Sequence, residues 1–125
     1  MINSKQKGNR FERWVASFFR DHGYNCRRGQ QYSGANGDAD VVGAPGIHIE
    51  CKAVERLNLY DAMAQAVRDG KELIPVVIHK KNNHKVLVTM HADDWIEFYK
   101  AWEVSKDFDE RAWLSAKGID VIRRD

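Results

Sequence analysis

The sequence predicts an α/β domain in which a central mixed β-sheet is flanked by helices. Apolar residues recur at helical spacing in three segments, and short apolar runs typical of strands lie between them. The predicted order is helix, three strands, helix, two strands, helix, which is typical of an α/β fold. With 125 residues, the chain is long enough for one domain with one core. We therefore expect a single domain over residues 1–125, with a core over about residues 5–103 and a C-terminal extension over 104–125.

The composition is that of a soluble globular protein. Hydrophobic residues make up 43% of the chain and charged residues 30%, unlike a disordered segment. No apolar run approaches the roughly 20 residues that span a bilayer, and the polar residues 1–10 lack the apolar stretch of a signal peptide. A cytoplasmic location is therefore expected. Cys26 and Cys51 lack CxxC spacing, which favours small buried hydrophobes over a disulfide or a zinc site.

Charge is distributed unevenly although the net charge is only +2. Residues 1–90 contain 14 Lys and Arg against 9 Asp and Glu, whereas residues 91–125 contain 6 against 9. The positive excess lies in the part of the chain that contains the motifs described below, as a phosphate-binding face requires. Two ordinary solvated surfaces of different sign would give the same distribution.

The first predicted helix covers residues 5–22, and Gly23 ends it. A short strand is predicted over residues 24–28. An exposed loop is predicted over the Gly-, Ser- and Asn-rich residues 29–37. The apolar stripe of the helix consists of Phe11, Trp14, Val15, Phe18 and His22, which recur at helical spacing.

A β-hairpin is predicted next. Apolar runs at residues 39–42 and 47–51 are separated by Gly43-Ala44-Pro45-Gly46, in which proline presets one turn dihedral and glycine tolerates a positive one. Side chains alternate between the two faces of a strand. The alternation directs Ile47, Ile49 and Cys51 to the core. His48, Glu50 and Lys52 then share the opposite face.

The remaining elements follow from capping and periodicity. A second helix is predicted from Leu59 to Gly70, with Asn58 as its N-cap. Strands are predicted over residues 73–79 and 86–90, joined by a polar turn. The inward residues of the second helix are expected to be Leu59, Met63, Ala66 and Val67.

A third helix is predicted from residue 93 to about 102 and is expected to bury Trp95, Phe98 and either Tyr99 or Trp102. The tail contains a short helical stretch over residues 110–118 and a last apolar run over 119–122.

Two carboxylates are predicted to meet across the hairpin. With the turn centred near Pro45, Asp40 lies directly opposite Glu50, with Cβ atoms roughly 5 Å apart. Such a pair is unfavourable unless a cation neutralises it, and a set of hard oxygen ligands favours magnesium or manganese. Asp38 would replace Asp40 if the turn shifted by two residues.

Lys52 adds an amine beside these carboxylates. A lysine next to a bound metal can orient or deprotonate a water molecule and can stabilise the charge that grows on a phosphate. Together the three residues provide what phosphodiester hydrolysis needs. A cross-strand salt bridge on a solvated face is the simpler alternative, because short motif matches carry false positives.

Asp40, the Glu50-Cys51-Lys52 tripeptide and the hairpin between them resemble the PD-(D/E)XK nuclease signature, with Ala39 at the position of the proline. Three blocks together resemble archaeal-type Holliday junction resolvases, especially their bacteriophage-encoded relatives. These blocks are KGNRFER at residues 7–13, SGANGDADVVG at 33–43 and HIECK at 48–52. The resemblance spans about residues 5–90. It implies a PD-(D/E)XK fold and a homodimer that makes paired nicks in four-way DNA junctions, in recombination or phage genome processing.

The same resemblance implies roles for individual residues. Asp40, Glu50 and the carbonyl of Cys51 would bind Mg²⁺, for which Mn²⁺ would substitute, and Glu12 would complete the metal site. Lys52 would be the catalytic lysine, and Gln65 in the following helix would reach the site. For Glu12 the alternative is an exposed acid paired with a neighbouring arginine. His48 is expected to be a neighbour of the site and not a ligand.

Contacts with DNA are expected from residues near the ends of elements that lead to the site. Ordinary surface charge is an equally simple explanation for the basic ones. The basic candidates are Lys7, Arg10, Arg27 and Arg28. In the loop before the hairpin, the resemblance implies a DNA contact by Ser33, and Asp38 would contact DNA or the loop backbone if it is not the metal ligand.

Two other functions are compatible with these motifs. One is a restriction- or repair-type nuclease that cuts linear or flapped duplex DNA. The other is a DNA-binding module that has kept the fold and lost catalysis. The intact acids and lysine argue against the second.

Overall fold

The computed structural model describes residues 3–30, 39–105 and 110–118. The order of elements is the predicted one. Ser33, Asp38 and the apolar run at 119–122 lie outside the described residues. The elements are α1 (Ser4–Asp21), β1 (Arg27–Arg28), β2 (Val41–Val42), β3 (Ile47–Ala53), α2 (Leu59–Gly70), β4 (Ile74–Lys80), β5 (Leu87–Thr89), α3 (Ala92–Glu103) and α4 (Glu110–Ala116).

The chain divides into two compact units, residues 1–91 and 92–125. The division falls before α3 and not at residue 104, where the extension was expected to begin. The organisation as a single domain stays a prediction.

The strands of the first unit form one mixed sheet in the order β1-β2-β3-β4-β5. Neighbouring strands are antiparallel, except for β3 and β4, which are parallel and joined through α2. The predicted mixed sheet flanked by helices is therefore confirmed.

The β2–β3 hairpin has the predicted register. Val41 pairs with Ile49, which centres the turn near Pro45. Gly43 has a φ of 108°, and a Cβ there would collide with the carbonyl oxygen of Asn25. Because a side chain is excluded at this point, the turn cannot easily shift by one residue. The register places Asp40 opposite Glu50.

Helices α1 and α2 cover the sheet from its two faces. On the α1 side, Phe11, Val15 and Ala16 are buried against strand residues that include Val41 and Ile49. On the α2 side, the buried residues are Ala62, Met63, Ala66 and Val77. The two layers fix the positions of every strand residue that faces the site.

Four residues expected to face inward are exposed instead, and His22 at the end of α1 is one of them. Trp14 and Phe18 are each 46% exposed, and Val67 is 45% exposed. The apolar stripe of α1 is wider than the surface that packs on the sheet, and its outer rings stack on each other, with the Trp14 and Phe18 centroids 5.3 Å apart. Periodicity identified the stripe, but not the part of it that is covered.

The expectation for α3 was also wrong, since no residue of this helix is buried. Its aromatic residues pack within their own unit: Trp95 stacks on Tyr99, and Trp102 contacts Trp113 of α4, with ring centroids 5.5 Å apart in each pair.

In the described part of the chain, no helix combines the length and the apolar character needed to cross a bilayer.

Asn58 and Gly70 define the two ends of α2 as predicted. The Asn58 side chain accepts the backbone N–H of Asp61 at 3.1 Å, which is N-cap geometry. Gly70 lets the last turn approach β3, because a Cβ there would lie 2.9 Å from the Cβ of His48 and 3.0 Å from its Cγ.

We expect Gly70→Ala to lower the free energy of unfolding by about 1–3 kcal/mol, because the added methyl overpacks a buried contact with His48. Urea denaturation measures the change. Gly8→Ala is the matched control: its Cβ would meet nothing within 4 Å in the middle of α1, and alanine is favoured there by up to about 1 kcal/mol. Equal destabilisation by the two substitutions would contradict the tight contact at Gly70.

Candidate active site

Asp40 and Glu50 face each other at the start of β2. The Asp40 Oδ2 accepts the backbone N–H of Cys51 at 2.8 Å, which ties this carboxylate to the neighbouring strand. The Asp40 carboxyl is also close enough to hydrogen bond with Glu50. The hairpin therefore brings the two predicted acids into direct contact.

Glu12 joins this pair from α1. Burial and the nearby charge of Asp40 raise the pKa of Glu12, against the opposing effect of Arg28. Arg28 donates from Nε and Nη2 to the Glu12 Oε2 at 3.1 and 2.9 Å, and from Nη2 to the Asn9 Oδ1 at 2.9 Å. The pairing with an arginine that was the alternative for Glu12 is present, but the carboxyl also lies beside Asp40.

Glu50 is buried with His48. The two side chains lie on the α2 face of β3, with His48 Nε2 and Glu50 Oε1 2.7 Å apart. Burial, followed by the charge of Asp40, raises the pKa of Glu50 to about 8. Burial lowers the pKa of His48. The contact has the geometry of an ion pair, but burial shifts both pKa values toward the uncharged forms.

Lys52 lies two residues beyond Glu50 on the same face. Its Nζ donates to the Gln65 Oε1 at 3.0 Å, and its charge opposes the rise in the Glu50 pKa. Helix α2 thus supplies the residue that holds the lysine amine near the carboxylates. Gln65, which was expected only to reach the site, contacts Lys52 in the structure.

The backbone of Cys51 faces the acids. Within a strand, the N–H and C=O of one residue point to the same edge, and the Cys51 N–H points to Asp40. The carbonyl is therefore directed to the same side. Burial raises the pKa of the Cys51 thiol, and so do the charges of Asp40, Glu12 and Glu50.

Comparison with known families decides the class of protein. Residues 3–114 match the family described as "Phage putative PDDEXK endonuclease". The chain belongs to this nuclease family. The superfamily and the bacteriophage-like character expected from the sequence are confirmed, and the mixed sheet with its flanking helices is a PD-(D/E)XK fold.

Among solved structures, Hjc of Archaeoglobus fulgidus, a Holliday junction resolvase from an archaeal hyperthermophile, is similar at 18% sequence identity and a TM-score of 0.47. The similarity covers 93% of this chain and 99% of that one. No curated protein matches.

The candidate DNA contacts of the nuclease differ in their surroundings. Arg10 and Arg27 are exposed and Lys7 is half-buried, whereas Arg28 is engaged by Glu12 and Asn9. Ser33 and Asp38 lie outside the described residues. Their contacts with DNA stay predictions.

Sequence reasoning missed two interactions of the PDDEXK site. His48 was expected to be only a neighbour, although residues 48 and 50 share a strand face and a bond between them could have been anticipated. The bond between Arg28 and Glu12 joins residues 16 positions apart, and it gave no signal in the sequence because only the packing of α1 on β1 brings them together.

The donors of this nuclease suit a hard divalent cation. Carboxylates that repel each other in a buried site, next to a backbone carbonyl, are a typical oxygen ligand set. Among the described residues, no group of three or more His, Cys, Asp or Glu side chains is arranged so that it could hold a metal ion. In the structure Glu12 and Glu50 are bonded to Arg28 and His48 instead. The metal-ligand role of Asp40, Glu50 and the Cys51 carbonyl stays a prediction.

Proposed function

We propose that this nuclease is a metal-dependent endodeoxyribonuclease that resolves four-way DNA junctions as a homodimer in the host cytoplasm. One observation carries the proposal. Asp40 meets Glu50 across the β2–β3 hairpin, and Lys52 lies on the same strand face as Glu50 with its amine held by Gln65.

The acids of the cluster would bind Mg²⁺, with Mn²⁺ as a substitute. Asp40, Glu50 and the Cys51 carbonyl would hold the ion, and Glu12 would join them once Arg28 releases it. A bound divalent cation neutralises phosphate oxygens and lowers the pKa of water. Because Glu50 is protonated in the metal-free protein, it must lose this proton to become a ligand.

Lys52 would act on the attacking water and the phosphate. Gln65 accepts one N–H of its amine, which fixes the direction of the remaining donors. These donors can orient the water that attacks phosphorus, and they can balance the charge that develops on the phosphate as the ester bond breaks.

The preference for branched DNA rests on the three sequence blocks shared with archaeal-type resolvases. A homodimer would provide two active sites, and each would cut one strand of the junction. Lys7, Arg10 and Arg27 would contact phosphates around the site.

Cleavage of three substrates of equal length tests this proposal: a labelled four-way junction, a flap and a linear duplex, each in Mg²⁺ and in EDTA. We expect Mg²⁺-dependent paired nicks confined to the junction, and none from Asp40→Asn. Cutting of duplex or flap at equal rates would instead establish a repair- or restriction-type nuclease. Junction binding without cleavage by the unmodified chain would establish an inactive DNA-binding module.

A further inference from the structure

We infer that His48 is a positioning residue that orients the Glu50 carboxylate toward the divalent cation. The inference rests on the proposed function, because it concerns the same metal site. His48 and Glu50 are each 4% exposed, and the His48 Nε2 lies 2.7 Å from the Glu50 Oε1. A short polar contact so well shielded from water holds both side chains in one arrangement.

Metal binding would determine which residue donates the hydrogen bond between His48 and Glu50. A ligating Glu50 is a carboxylate, which only accepts hydrogen bonds, so His48 must then donate from Nε2. The donation would hold Oε1 in place and would leave the remaining lone pairs of the carboxylate for a cation. Hydrogen bonds of this kind orient ligating carboxylates, and their loss typically weakens metal binding by about 10–100-fold.

The imidazole is itself held in place. The backbone of Gly70 at the end of α2 packs on it so closely that a Cβ would lie 2.9 Å from the His48 Cβ and 3.4 Å from its Cδ2. His48 also pairs in register with Pro75 on β4. Because the buried imidazole packs against the end of α2, it has little room to rotate away from Glu50, so it can position the carboxylate.

Two substitutions at one position test the inference by metal binding. His48→Leu removes the donor and keeps an apolar side chain of similar size, whereas His48→Gln keeps an N–H near the position of Nε2. Titration with MnCl₂ in the absence of DNA, followed by thermal unfolding and calorimetry, measures the affinity. We expect His48→Leu to bind Mn²⁺ about 10–100-fold more weakly than the unmodified chain, and His48→Gln to recover most of this loss.

The matched control is His79→Leu. This substitution removes a partly buried imidazole whose Nε2 lies 2.8 Å from the Thr89 Oγ1. We expect its Mn²⁺ affinity to be unchanged. If His48→Leu binds Mn²⁺ as tightly as the unmodified chain, the inference is overturned. It is also overturned if His48→Gln folds and binds Mn²⁺ as weakly as His48→Leu. Failure of the unmodified chain to bind Mn²⁺ would overturn the proposed metal dependence instead.

A measurement on the unmodified chain remains decisive if His48→Leu does not fold. In the Mg²⁺-loaded protein, nitrogen-15 NMR of the histidine side chains should show His48 as the Nε2–H tautomer, with slow exchange of that proton. An unprotonated Nε2 in the loaded protein would overturn the inference.

Discussion

Replacing Lys52 with alanine is expected to slow DNA cleavage by roughly 10²–10⁴-fold, the usual contribution of a side chain that handles protons or orients water. The amine is held by Gln65 at 3.0 Å on the strand face that carries Glu50, and alanine provides neither a donor nor a charge. Single-turnover cleavage of a labelled junction in saturating Mg²⁺ measures the effect on the chemical step.

Lys100→Ala is the control, because Lys100 is an exposed lysine of α3 that pairs only loosely with Glu97 at 3.3 Å. We expect it to cleave at the unmodified rate. If Lys52→Ala binds the junction normally and still cuts it at the unmodified rate, the lysine has no catalytic role.

Glu50→Gln is expected to have opposite effects on activity and stability. The amide keeps the shape of the side chain but loses the charge that binds a cation. A metal contributes several kcal/mol to the transition state of phosphodiester hydrolysis, so cleavage should fall by roughly a thousandfold or more. The metal-free protein should become more stable near neutral pH, because the unmodified Glu50 must take up a proton to be buried beside Asp40, whereas the amide is uncharged in both the folded and the unfolded state.

The gain in stability should depend on pH. Folding raises the pKa of Glu50 from 4.5 to about 8, so the folded state holds a proton that the unfolded state has lost. The stability that this proton provides is complete below pH 4.5 and is lost as the pH rises toward 8. As the pH rises above 6.5, the ordinary pKa of His48, His48 becomes neutral in the unfolded state as well, and Glu50 dominates the pH dependence.

Urea denaturation in EDTA between pH 6.5 and 8 checks this prediction. The difference in unfolding free energy between Glu50→Gln and the unmodified chain should widen by up to about 1.4 kcal/mol for each pH unit. Parallel stability curves across this range would show that Glu50 ionises as freely in the folded protein as in the unfolded chain.

The sequence was most informative where local chemistry determines the structure. Asn58 caps α2 and Gly70 ends it, and both bounds agree with the prediction. The hairpin register followed from the turn residues and from the alternation of Glu50 with its apolar neighbours. These features depend on residues close together in the chain, which is why one sequence was sufficient.

The predictions were wrong for residues whose burial depends on which surfaces pack together in the folded protein. Trp14 has the same helical spacing as the buried Val15 and is nevertheless 46% exposed. All the aromatic rings of α3 are similarly exposed. For the site, the partner of Glu12 is an arginine that only the packing of the first helix brings within reach. Apolar patterns identify a stripe, but the extent of its coverage is a tertiary property.

The acids of the site come from distant parts of the chain, and this has a consequence for the newly made protein. Residues 47–80 form a strand, helix and parallel strand that contain Glu50, Lys52 and Gln65, whereas Asp40 and Glu12 arrive from the hairpin and the first helix. A molecule in which only the strand–helix–strand segment has folded would carry half of the ligands and would be inert toward the genome around it. The complete set of acids in the proposed metal site would therefore form only after all three segments have docked.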